Sequence, residues 1–170
     1  MTHKSLSLTF PPSACALAVA GGLAAVLLSG CGQDYSRPIK PAPEALVQDS
    51  EVESIDEQEV VYRDGNRMSI PEGAPHVLYS MPGMTPTKAQ VSEDKGSIIE
   101  SVCGDSVGRV VHEVEKRMTT SGWKQYHQSG QGRVREGAYR RGEWVVYVLA
   151  QQVEGGTHVM TETALADAPE

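Results

Sequence analysis

Cysteines stand at positions 15, 31 and 103 of this 170-residue chain, and a thiolate is the strongest nucleophile such a sequence can offer near neutral pH. Cys103 lies in Val102-Cys103-Gly104-Asp105, where an extended run gives way to helical spacing. Helix amides at that corner would lower a thiol pKa and prepare it for attack. Asp105 opposes the shift, and no histidine stands close by as a base. The neighbours favour a buried, inert thiol. A small Cys-dependent enzyme using Cys103 is the alternative.

Metal chemistry has less to work with. His112-Glu113-Val114-Glu115-Lys116 carries the first two residues of a His-Glu-x-x-His zinc helix, which needs a second imidazole one turn on to complete the ligand face. Lys116 occupies that place, so the sequence assigns no metal. His76, His127 and His158 are scattered among strand-like segments. No glycine-rich loop has the spacing of a phosphate cradle. Basic residues offer more: Lys124, Arg133, Arg135, Arg140 and Arg141 fall on neighbouring extended segments, with Tyr126, Tyr139 and Trp144 nearby. Such a patch could hold an acidic protein, anionic lipid head groups or peptidoglycan carboxylates through charge and the forked donors of arginine. Glu136 and Glu143 interrupt it, and the period-two pleat sends alternate side chains to opposite faces. A net charge of −7 speaks against nucleic acid.

Cys31 has a different setting. Ala14 to Leu28 is apolar and ends in Leu28-Ser29-Gly30-Cys31. As a helix it would reach about 22 Å, short of the roughly 30 Å hydrocarbon core of a bilayer. It therefore reads as a cleaved signal, residues 1–30. The four residues resemble the lipobox of bacterial lipoproteins. That resemblance implies a diacylglycerol on the Cys31 thiol, cleavage before it, and a further acyl chain such as palmitate on the new amine. Two or more chains hold a protein on a membrane stably. Gly32, not an acid, follows the acylated position, which in this family favours the outer membrane facing the periplasm. The covalent lipid is the only prosthetic group expected.

The elements that must position these side chains follow from charge and periodicity. Gly32 to Pro75 holds ten acids against four bases, whereas twelve acids and ten bases follow. Prolines, like charge and few apolar residues make residues 31–58 an expected disordered tether, about 30 Å long by chain statistics. Residues 59–75 read as a hairpin about Asp64-Gly65 or an extended linker. From 76 to 166 the pattern predicts an α+β domain, with 167–170 frayed. Strands are expected at 76–80, 89–92 and 97–102. A helix carries Val107, Val110, Val111, Val114 and Met118 on one face, is capped by Asp105 and stopped by Gly122. Strands follow at 123–128, 132–140, 143–150 and 158–165, the third apolar on both faces and so central. The sum is an antiparallel sheet of five or six strands with one helix on one face, serving a membrane-anchored, non-catalytic interaction domain for an envelope protein or anionic envelope component. The order loosely resembles helix-grip domains of barrel-assembly lipoproteins.

Replacement of Cys31 by Ser is expected to abolish fatty-acid incorporation and move the protein from the membrane to the soluble fraction. Palmitate labelling with fractionation checks both.

Overall fold

The computed structural model describes residues 36–56, 58–70, 75, 81–91 and 96–166. They form α1 (Glu44–Val47), β1 (Val52–Ile55), β2 (Glu59–Tyr62), β3 (Arg67–Ser69), β4 (Thr85–Val91), β5 (Ser97–Cys103), α2 (Val107–Thr120), β6 (Lys124–Gln131), β7 (Val134–Arg141), β8 (Trp144–Val153) and β9 (Gly156–Leu165). The fold is α+β. Six antiparallel strands run in the order β4-β5-β9-β8-β7-β6, α2 packs on one face, and β1-β2-β3 form a smaller sheet. The signal segment 1–30, the strand expected at 76–80 and the tail 167–170 lie outside the described residues.

Helical spacing accounts for α2. Val107, Val110, Val114 and Met118 are buried, and Val111 packs partly against them. The cap is Ser106, whose hydroxyl accepts from the Arg109 amide, and not Asp105. At the other end the Trp123 amide donates to the Met118 carbonyl and the Gly122 amide to Thr119. This six-to-one, five-to-two pair turns the chain out of the helix and folds Trp123 back on Met118 in the core. The face of β8 toward α2 carries Val146, Val148 and Ala150, and Tyr139 of β7 joins them. The β6–β7 turn sits later than the spacing around Ser129-Gly130-Gln131 suggested. Gln131 pairs with Val134, so Gly132 and Arg133 form a two-residue turn. Gly132 takes φ of +60° at its first central position, which L side chains avoid.

Residues 36–56 depart from the tether expectation. Instead of a free spacer they form a strap that ends in α1 and β1 and runs into the hairpin β2–β3. Ile39 is 4% exposed and Val52 1% exposed, and burying each such side chain stabilises by about 1.5–3 kcal/mol. Two glycines make room for the strap. A Cβ at Gly83 would collide with the Ile39 carbonyl, and one at Gly104 with the Pro41 carbonyl. The Gly104 amide donates to the Lys40 carbonyl over 2.8 Å. Farther on, the Glu51 amide donates to Thr87 of β4, Ser50 Oγ to the Pro86 carbonyl, and Tyr62 Oη to the Ala89 carbonyl. Val52, Val60, Ile70, Ala89 and Ile99 close a second apolar cluster, and Trp144 packs against both cores.

Asp105 is the knot of this arrangement. Its carboxylate, 6% exposed, accepts two bonds from the Arg37 guanidinium and one from the Lys40 amide at 2.6 Å. Arg109, 3% exposed, donates to the Arg37 carbonyl and to Glu113, and Arg117 pairs with Glu113 one turn on. Burial pushes the Asp105 pKa up, but the Arg37 hydrogen bonds, the Lys40 amide and the charges of Arg37 and Arg109 outweigh it and hold the carboxyl below 3.8.

The folded-state pKa of Asp105 is depressed, so its stabilisation is complete above the unfolded carboxyl range of about 4 and fades as pH falls through the lower folded value. Asp105→Asn is expected to cost about 2–3 kcal/mol at neutral pH by leaving buried donors and charge without their acceptor. The deficit should shrink below pH 4 in urea titrations, and the Lys40 and Gly104 amides, which donate to Asp105 and Lys40, should exchange hydrogen faster than in the parent.

Candidate functional site

Antiparallel pairing decides which of the five sequence-selected cations meet. Lys124 of β6 lies directly opposite Arg140 of β7, and residues opposite one another share a face. Arg141 is next to Arg140 and so turns to the other face, over the Trp123 ring at 4.8 Å, and donates to the Ser121 carbonyl at 2.9 Å. It thereby satisfies a backbone acceptor at the end of α2. Arg135 points to the helix side, where its Nε is buried without a partner. Arg133 lies in the turn at the opposite end of the β6–β7 hairpin. The expected single patch is therefore two groups, divided by strand length and by the pleat.

Lys124, Tyr126, Arg140 and Arg141, with the backbone of Gly122 and Gly142, line a groove of about 400 Å³ beside the C-terminal end of α2. Among the described residues, none of the five cations has a carboxylate within ion-pair distance. A register shift between Gln125 and His127 re-aims the intervening Tyr126. It meets Tyr147 of β8 edge to face, with ring centroids 6.5 Å apart, and both rings are about half exposed. Burial first, then the Tyr147 hydroxyl and its charge, raise the Tyr126 pKa to about 12 against the lowering effect of Arg140. The groove's phenol is therefore neutral at physiological pH. Tyr147 was hidden in an apolar run, and only alternation with buried Val146 and Val148 marks it as outward. Tyr139 and Trp144 belong instead to the core face.

Arg135 opens into a second, polar cleft of about 390 Å³ bounded by Ser106, Gly108, His112, Glu115 and Gln152. Glu115 there accepts from Gln128 at 2.7 Å, so acid and base share the space. This cleft lies at the β6–β7 turn, away from the Lys124 groove.

The sulfur chemistry considered for Cys103 meets the wrong surroundings. The residue is fully buried. Burial raises its pKa, the Asp105 amide opposes this, the Asp105 charge adds to it and the Thr157 amide opposes it again, with a net rise. His127 and His158 stand on strands separated by β8 and β7, and His158 faces Glu100 at 2.9 Å. His76 is outside the described residues. Among the described residues no group of three His, Cys, Asp or Glu could hold a metal, and no helix is long and apolar enough to cross a membrane. The lipobox residues 28–31 also lie outside the described part.

No protein-family model and no curated protein matches this chain. Function must be argued from its own side chains.

Alkylation of native protein at neutral pH is expected to leave Cys103 unlabelled, with modification appearing only as urea unfolds the domain. Mass spectrometry against an unfolded control measures it. Rapid native labelling would restore the nucleophile.

Proposed function

We propose that this chain is a lipoprotein of the bacterial cell envelope, anchored by lipid on Cys31, whose α+β module binds an anionic envelope component without catalysis. The outer membrane, facing the periplasm, is the placement that Gly32 favours. The observation that carries the binding reading is the Lys124–Arg140 pair. Like charges directly opposite on adjacent strands repel and destabilise a sheet, and among the described residues no carboxylate forms an ion pair with either of these two. An anion in the groove would relieve that repulsion and accept charge-assisted hydrogen bonds from both. Tyr126 adds a flat apolar wall and no competing charge. Burial of Cys103 weighs against the alternative of a Cys-dependent enzyme.

This reading separates binding from stability. Lys124→Glu is expected to stabilise the fold by about 0.2–1 kcal/mol, since an opposite-charge pair replaces repulsion. The same change should abolish binding of a fluorescent oligo-glutamate probe, read by anisotropy, that the parent binds more weakly as salt rises. If the variant held the probe as well as the parent, the groove would not be the anion site.

A further inference from the structure

The strap and the groove lie at opposite ends of the main sheet. Gly104, bonded to Lys40 of the strap, follows the end of β5, and Cys103 pairs with Thr157 near the start of β9. Val153 pairs with Gly156 at that same end. At the other end Arg141 pairs with Trp144 and Trp144 with Leu165, next to the groove. The ten residues of β8 span the distance between the two ends, about 33 Å at the rise of a strand.

Docking of the strap shortens the leash. Ile39 is in the core and Arg37 is bound to Asp105, so the chain is fixed to the domain six residues after Cys31. Six residues reach at most about 22 Å even when fully extended. A free tether through residue 58 would let the domain tumble, whereas a six-residue leash would confine its Arg37 end to the neighbourhood of an anchor at position 31.

Resting on the anchored, anion-binding reading above, we propose that the strap keeps the Gly104 end of the sheet toward the anchoring bilayer and turns the Lys124–Arg140 groove away from it, toward a carboxylate-bearing glycopeptide polymer of the cell wall. The charge of the groove suits carboxylates, and exposed Tyr126 offers a face on which a sugar ring can lie. Head groups of the anchoring leaflet have the right charge but lie at the wrong end. Glu143, exposed in the adjoining turn, forms no ion pair with the groove cations.

The test uses the acylated full chain in vesicles carrying acceptor dye on their head groups, with a donor on Glu154→Cys or Glu143→Cys. These two exposed positions flank β8, and Cys103 is buried. Transfer is expected to be several-fold stronger from position 154, and a twenty-residue Gly-Ser insertion after Gly32 should erase the difference. Equal transfer from the two sites in the parent, or stronger transfer from 143, overturns the orientation. In a second arm, the unacylated Cys31→Ser protein is sedimented with purified peptidoglycan or with phosphatidylglycerol vesicles. Sedimentation with peptidoglycan, reduced about tenfold or more by Arg140→Gln, is expected. Sedimentation with the vesicles instead overturns the wall partner while leaving the anion-binding reading standing. Absence of acyl mass on Cys31 defeats the anchored reading itself, and mass spectrometry sees that independently of energy transfer.

Discussion

A single carboxylate at the strand-to-helix corner organises the strap that precedes the main sheet. Asp105 could have capped α2, a common use for aspartate at such a place. Ser106 takes that duty, which frees Asp105 to gather the Arg37 guanidinium and the Lys40 amide. Thr157 Oγ1 donates to the Asp105 carbonyl, tying the same residue to the start of β9. Strap, helix and sheet therefore meet at one residue. Arg109 is buried on the face of α2 because it completes this knot, holding the Arg37 carbonyl with one nitrogen and Glu113 with another.

The main sheet and α2 were legible because each advertises itself through many residues. Five valine and methionine positions at helical spacing, and the long apolar run of β8 beside the alternating run of β9, outvote any one exception. The Asp64-Gly65 hairpin was legible too, although β1, which gives it a third strand, was not. The strap stayed hidden because its anchors are isolated. Ile39, Ser50 and Val52 are buried among prolines and acids, and averages over such a stretch report disorder when a few contacts decide the outcome. Nothing local in Arg37 indicates a partner 68 residues away. The cations were found as residues but not as a site. Their division needed strand register, which depends on where the turn falls, and the turn at Gly132-Arg133 lies beyond the Gly130 that the spacing favoured.

The two faces of the sheet are used differently. One carries the packed side chains of both cores, with Ser97 and Thr163 hydrogen-bonded between strands. Gly137 belongs there as well: a side chain in its place would press on the Tyr139 ring, which folds back over the bare backbone. The other face carries Tyr126, Tyr147, Ile98 and the His158–Glu100 pair, all of them accessible to solvent to some degree. Aromatic rings beside unneutralised cations make this the face with unspent interaction capacity.

The rims of the main sheet carry one more consequence. At β4, Pro86 withholds a donor and the Thr87 carbonyl is already taken by the Glu51 amide. At β6, a bulge and the Lys124 ammonium break up what would otherwise be a flat hydrogen-bonding strip. Features of this kind discourage a neighbouring copy from adding its own strand. Many molecules could thus crowd together without zipping into fibrils, and whatever touches this protein is steered to its side chains instead of its backbone.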